Sequence, residues 1–255
     1  MTISIITVCY NSNTTIRGTF ESVLSQSYHD IEYIVIDGVS VDGTVDIIKE
    51  YEPKFAGRMR WVSELDSGIY NAMNKGIKMA SGDIIGILNS DDVYSAKDIL
   101  SVVNKIMTDN NVDSCYGDIL YVKNGRAFRY WKSGNHKSFK YGWMPPHPSF
   151  FVRKEIYEKY GIFRLDCGIN ADYELLLRFL DICKISTMWI NKIFVYMNVG
   201  GKSNSSLKAR FDAISNDRIA WKVNNMNPYF FTLFLKRLRK IPQFFKAKFH
   251  QFNFS

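Results

Sequence analysis

Three short apolar runs, each cut off by polar residues, dominate the first 92 positions of this 255-residue chain. They are TISIITV (Thr2–Val8), IEYIVI (Ile31–Ile36) and the centre of GDIIGILNSDD (Gly82–Asp92), and Arg60–Leu65 reads as a further short strand, third in order. Apolar runs of this length read as strands buried on both faces. Between them apolar residues return at helical spacing. Ile16, Phe20, Val23 and Leu24 recur in Thr14–Gln26, Ile47, Ile48 and Tyr51 after Thr44, and Ile69, Met73, Ile77 and Ala80 in Gly68–Ala80. Such β-α alternation predicts a parallel sheet with right-handed crossovers. The expected class is α/β, with a central, mostly parallel sheet and helices on both faces.

The polar ends carry acids. Asp37 ends the second strand, Asp66 follows the third, and Asp91 with Asp92 ends the fourth. For any one of these a turn or helix cap is the commoner role, and Ser90-Asp91-Asp92 suits a cap well. Parallel strands, however, bring all of them to one sheet edge, where open α/β sheets bind ligands. Adjacent carboxylates at the end of a buried strand need a compensating cation or hydrogen-bond donor. There is no GxGxxG after the first strand and no GxxxxGK[ST], which argues against dinucleotide-binding dehydrogenases and P-loop enzymes. A phosphorylated ligand here is expected to be held through Mg2+ or Mn2+ on one or two carboxylates.

The rest of the chain continues the mixed pattern. We read a helix over Ala96–Thr108, a strand over Asp113–Val122, a turn at Gly125 and a return strand over Arg126–Trp131. Gly134–Pro148, rich in Gly, Pro, His and aromatics, reads as a loop over a site. A strand at Ser149–Val152, helices at Arg153–Tyr160 and Asn170–Leu180, and two short strands within Ile185–Asn198 follow. A polar loop at Gly200–Ser203 and a helix over Leu207–Val223 complete the ordered part. The expected division is a domain over 1–225, with a nucleotide-binding half (1–92) and an acceptor half (93–225), and a tail over 226–255.

Four scattered cysteines without a CxxC argue against a disulfide framework or zinc site, and fit a reducing compartment. No run of 18 apolar residues occurs and the first strand is too short for a signal peptide. The expected location is cytoplasmic, peripheral at the inner face of the inner membrane. Six of the net eight positive charges lie from Tyr229 onward, leaving 27 basic against 25 acidic residues elsewhere. That is not the spread basic face of a nucleic-acid reader, so no nucleic-acid partner is expected.

Several blocks, in order from Ile3 to about Ser206, carry a resemblance. They are ISIITVCYN, YIVIDGVSVDGT, SELDSGIYNAMNKGIKMASGDIIGILNSDD, PHPSFFVRKEIYEKYGIF with NADYELLLR, and VGGKSNSS. Together they resemble the inverting glycosyltransferases of family 2, with the GT-A fold. The resemblance implies a UDP-sugar donor and an acceptor hydroxyl on a saccharide or lipid-linked oligosaccharide, in bacterial surface-polysaccharide synthesis. It places the base contact at Asp37, a donor-site residue at Asp66, the metal ligands at Asp91 and Asp92, and the catalytic base at Asp172. The first acid of the usual DxD element is Asn89 here, an amide that can still coordinate or bond a ribose. Thr7 and Tyr10 are further candidates for the base pocket, Lys75 for a phosphate, and His147 for the acceptor or a phosphate. Glu174 is a rival base, but on a helix it points about 200° from Asp172. The VGGKSNSS block implies a flexible loop near the site.

The tail interleaves nine aromatics with Lys236, Arg237, Arg239, Lys240, Lys246 and Lys248. This composition fits an interfacial amphipathic helix on anionic lipid, interrupted at Pro242; packing on the domain or on another subunit fits as well, and a homo-oligomer is compatible with the sequence. Two rival functions stay open at this point: a polyprenyl-phosphate sugar synthase, and a non-catalytic scaffold partnering another transferase.

Overall fold

In the computed structural model, which describes residues 1–199 and 217–247, the first apolar run forms β1 (Ile3–Cys9), buried at every position. It pairs in parallel with β2 (Ile31–Asp37) on one side and β4 (Ile84–Ile87) on the other, and β2 pairs in parallel with β3 (Met59–Ser63). The connections are α1 (Ile16–Leu24), α2 (Thr44–Tyr51) and α3 (Ile69–Met79). Side chains alternate across the strands as the pleat requires. Ile6, Val8, Ile34, Ile36, Ile85 and Ile87 enter one core with Ala72, Met73 and Ile77 of α3. Ile3, Ile5, Tyr33, Val35 and Ile84 enter the other with Ile16, Phe20 and Ile48 of α1 and α2. Helices thus cover both faces. Ile69, expected on the buried face of α3, is exposed instead.

The second half adds β5 (Asp92–Tyr94), α4 (Ile99–Asp109), β6 (Ser114–Lys123), β7 (Arg126–Trp131), β8 (Phe150–Arg153), α5 (Lys154–Tyr160), α6 (Ala171–Leu177) and β9 (Thr187–Asn198). Among the described residues nine strands form one sheet in the order β3-β2-β1-β4-β8-β6-β9-β5, with β7 also on β6. Of these, β8, β7 and β5 are antiparallel to their neighbours. The other six point one way. Gly86 lies where β8 crosses close to β4, and a Cβ there would run into the Phe151 ring.

The expected cap at Ser90-Asp91-Asp92 is not what forms. Asp92 closes a tight turn, its N–H donating to Asn89 O at 3.1 Å, and opens β5; α4 starts only at Ile99, with Asp98 at its N-cap position. This short link has a large effect. Four strand spacings separate β4 from β5 in the sheet order, about 19 Å if the sheet were flat. The five residues from Ile87 to Asp92 reach about 17 Å even fully extended, and a turn shortens them further. The sheet must curl until its far strand returns beside the end of β4. Thr19 of α1 bridges the join, donating to Asp92 O at 2.8 Å.

Other expectations need correction. Ile185–Asn198 holds one twelve-residue strand, not two, with register irregularities around Asp118 that disturb its alternation. Gly134–Pro148 is less a loop over a site than part of the core: Phe139, Trp143 and His147 are buried, and Trp143 Nε1 donates to Ser133 O at 2.9 Å. The helix from Asn170 is α6 followed by a wider π turn at Arg178–Ile182. Gly200–Ser203 and most of the helix expected at Leu207–Val223 lie outside the described residues; 217–222 is helical (α7).

The described part of the tail folds as α8 (Thr232–Leu238) and α9 (Ile241–Ala247), with Pro242 harmless in the first turn of α9. One side docks on the domain. Lys236 pairs with buried Asp217 at 2.5 Å, its ammonium 3.5 Å from the centre of the Tyr173 ring. Thr232 donates to Lys140 O at 2.6 Å and Arg239 to Tyr141 O at 2.9 Å. Gly142, at φ 69°, lets the α8 backbone touch; a Cβ there would overlap the Leu235–Lys236 peptide. Gly142→Ala should therefore release α8. The expected result is faster amide hydrogen exchange over 232–238 with unchanged protection in β1, β2 and β4.

Candidate functional site

The carboxyl ends of β3, β2, β1 and β4 gather the expected donor residues along one edge. Cys9, Asp37 and Ser63 are register partners across three strands. Asp37 is fully buried. It accepts from Ser63 Oγ at 2.6 Å, from Ser40 N at 3.0 Å, from the Ser40 hydroxyl and from the Cys9 thiol. Burial and the Asp37 charge push the Cys9 thiol up, so this cysteine is inert. The loops after β1 and β2 are laced together: Asn11 N donates to Ser40 Oγ, Val41 N to Asn11 Oδ1 and Asn13 Nδ2 to Asp42 O. Within this rim Val39 sits at φ 63°, a costly conformation for a β-branched residue.

Tyr10 is exposed at the end of β1. A Cβ built on Gly38 would lie 3.4 Å from its ring and 3.0 Å from Asp66 Oδ2. Tyr10 and Asp66 thus close tightly over Gly38, where a side chain would force one of them to move. Asp66 also accepts from Gly68 N at 2.8 Å, the local bond expected before a helix. Thr7 is a brace: fully buried, it donates to Leu88 O and accepts from Tyr33 Oη. Lys75 donates to Leu65 O at 2.7 Å and pairs with Glu64 at 3.0 Å, so its charge steadies the 64–66 loop.

At the end of β4, Asp92 is fully buried and Asp91 partly so. Asn89 Nδ2 donates to Asp92 Oδ2 at 2.8 Å, while Asp92 Oδ1 is buried without a hydrogen-bond partner. Burial pushes the Asp92 pKa well up, the Asp91 charge adds to that, and Asn89 opposes it. Burial raises Asp91 as well. An orphaned carboxylate oxygen beside a second carboxylate is a place for a proton or a cation. Among the described residues no cluster of three or more His, Cys, Asp or Glu forms. The residues fit a divalent ion held by two carboxylates and completed by ligand phosphates.

The opposite wall comes from α3, α6 and the β6–β7 hairpin. Asp172, in the first turn of α6, accepts from Tyr70 Oη at 3.1 Å, a proton shared with Ile169 O at 3.0 Å. Burial, then the Asp172 charge, pushes the Tyr70 phenol well up, so it stays a donor. Asn74, one turn further along α3, clamps the Phe163 backbone in both directions at 2.9 Å. His147 packs edge to face on Phe163. Its burial lowers the imidazole pKa against the pull of Asp172, so the ring is neutral near pH 7 and offers a phosphate no charge. Glu174 is fully buried and bidentate to Arg178, at 2.8 and 3.0 Å. It is structural.

Sequence reasoning missed Tyr70, Tyr121, Arg129 and Asp118. Asp92, Met197, Tyr121 and Arg129 are successive register partners across β5, β9, β6 and β7, and the Arg129 guanidinium lies 3.7 Å from the centre of the Tyr121 ring. Burial raises the Tyr121 phenol most; Arg129 opposes this, and both Asp92 and Asp172 add to it. Asp118 is spent internally, accepting from Tyr130 Oη, Ser133 N and Trp189 Nε1. Its place mid-strand was the available signal.

The sequence model of glycosyl transferase family 2 matches residues 4–168, and the chain belongs to that family. An uncharacterised glycosyltransferase of Mycobacterium tuberculosis is 35% identical over 73% of this chain and 72% of its own. A Mycobacterium bovis glycosyltransferase of PGL/p-HBAD biosynthesis is 26% identical over 82% and 81%. Solved structures share the GT-A fold. S. aureus TarS 1-349 in complex with UDP-GlcNAc matches at TM-score 0.64 and 19% identity, over 97% of this chain and 79% of that one; against a longer TarS chain the match spans 39% of its length. The mannosyltransferase PcManGT from Pyrobaculum calidifontis, in complex with GDP-Man and Mn2+, matches at 0.65 and 18%, over 96% and 73%.

Two outcomes follow from the donor edge. Val39→Gly relieves the positive φ and should raise stability by about 1 kcal/mol in urea unfolding. For Asp92 the folded pKa is raised, so above the ordinary carboxylate range the unfolded chain has lost a proton the folded chain keeps, and stability falls as pH rises. Asp92→Asn should accordingly raise the melting temperature at pH 8 without divalent ions and change it little at pH 4.

Proposed function

We propose that the chain is an inverting glycosyltransferase carrying a sugar from a UDP-linked donor to a hydroxyl of a saccharide or lipid-linked oligosaccharide acceptor. The observation that carries this reading is that α3, which begins just after Asp66 at the donor edge, holds Asp172 through Tyr70 Oη at 3.1 Å. A candidate base therefore stands beside the helix that opens at the donor edge. Family membership and the UDP-GlcNAc held by TarS support the donor class. The setting, assembly of a bacterial surface polysaccharide at the cytoplasmic face of the membrane, follows the resemblance and the relative active in PGL/p-HBAD biosynthesis.

On this reading the uracil and ribose lie over Gly38, between Tyr10 and Asp66, with Asp37 holding the loop that shapes the pocket. Asp91 and Asp92 would hold Mn2+ or Mg2+. Such an ion supplies Lewis-acid stabilisation of the departing diphosphate, and the Mn2+ in PcManGT supports it. Tyr70 orients Asp172 toward the acceptor. The acceptor oxygen bonds to the anomeric carbon as the bond from that carbon to the diphosphate breaks, and Asp172 takes the hydroxyl proton late in that step. A single displacement inverts the configuration without a covalent intermediate.

Transfer assays across a panel of sugar nucleotides test this. Asp172→Asn should lower kcat about 10²–10⁴-fold while calorimetry shows unchanged UDP binding. Near-full transfer by that variant would point to a phosphate acceptor needing no base. Absence of UDP binding in the presence of Mn2+ would leave a non-catalytic scaffold. Tyr70→Phe should cost about tenfold in kcat, one hydrogen bond to a carboxylate.

A further inference from the structure

The docked side of the tail leaves an outer side that the sugar-transfer reading does not use. Along it lie Phe230, just before α8, then Phe234 and Leu238, one turn apart on α8, and Ile241 and Phe245, one turn apart on α9. They are 96%, 62%, 39%, 53% and 63% exposed. An apolar stripe of this size on a water-facing surface marks a contact. Around it stand Arg237, Lys240 and Lys246, all exposed, and residues 229–247 contain no acid. The β6–β7 turn extends the same surface. Exposed Lys123 and Arg126 flank Phe128, which meets Phe244 edge to face at 5.4 Å.

We propose that this α8–α9 face, with the β6–β7 turn at its border, seats the protein on an anionic lipid surface, the stripe entering the interface and the cations meeting headgroup phosphates. Aromatics for the acyl boundary and cations for the headgroups are the two parts such a surface needs. A second copy is the poorer occupant. A two-fold contact places the same patch on itself, and here that would oppose cations to cations with no acid between them. The face is held in place, because the Lys236–Asp217 pair and the contacts at Lys140–Gly142 fix α8. The segment it grips leads within a few residues to His147 on the acceptor side. A bilayer seated here would lie against that side of the cleft.

The test uses the full chain and vesicles of phosphatidylcholine, with and without about a third phosphatidylglycerol. Expected is co-sedimentation with the anionic vesicles only, weakening as salt rises. Phe230→Ser, Phe234→Ser and Phe245→Ser combined should reduce vesicle binding about tenfold or more, with the melting temperature unchanged because these side chains touch no core. Arg237→Gln, Lys240→Gln and Lys246→Gln combined should abolish the preference for anionic vesicles. No vesicle binding by the parent chain, or equal binding by the Phe variant, overturns the proposal. So does a Phe variant that turns a dimer into a monomer by light scattering, which would assign the stripe to a second copy. Calorimetry with UDP on the same samples keeps this result separate from the sugar-transfer reading, since either can fail alone.

Discussion

The link between β4 and β5 is the constraint from which the shape of this protein follows. A handful of residues joins a central strand to one that stands four places away in the sheet, so the sheet has to curl. Curling carries the ends of β9, β6 and β7 round toward the donor edge. Asn198 then reaches Asp91 O at 2.8 Å, and Tyr121 stands in register between Arg129 and Met197, the partner of Asp92. A flat sheet with the same strands would have left a donor edge and a separate acceptor half. The nearness of the two edges is a by-product of that short link.

The same turn explains the position where this chain departs from its family pattern. Asp92 is sealed in with one oxygen unpaired, and its other oxygen is held by the Asn89 amide. A carboxylate at position 89 could not donate that bond and would add a third negative charge to a crowded corner. Asn89 therefore trades possible ion affinity for tolerance of a buried acid. The outcome is a site whose acids hold protons more firmly than free carboxylates do, and a bound cation would displace those protons.

How much of this was legible depended on range. The first half was plain because each strand is a local apolar run and each helix a local period, and the sorting of side chains into two cores follows from alternation alone. The ends of those strands pointed to Asp37, Asp66, Asp91 and Asp92, but Asp172 came from resemblance, since nothing local distinguishes it from Glu174. What failed was long-range. β5 is three residues long and exists only because β9 lies beside it. The irregularities around Asp118 made one strand look like two. Tyr70 and Tyr121 read as ordinary aromatics until the fold set them against carboxylates distant in sequence. The tail advertised an interface correctly in composition, yet not that half of it is already occupied by Asp217, Lys140 and Tyr141.

Helix α3 starts at the donor edge, just after Asp66, and touches the acceptor half twice on one side, through Tyr70 to Asp172 and through Asn74 to Phe163. These contacts are one turn apart, about 6 Å along the axis. The helix therefore works as a caliper between the proposed nucleotide pocket and Asp172, the proposed base. A helix is stiff along its length, so that gap is set by its hydrogen-bonded pitch rather than by loop packing. Changes to either pocket could alter which sugar or acceptor is accepted without altering that gap.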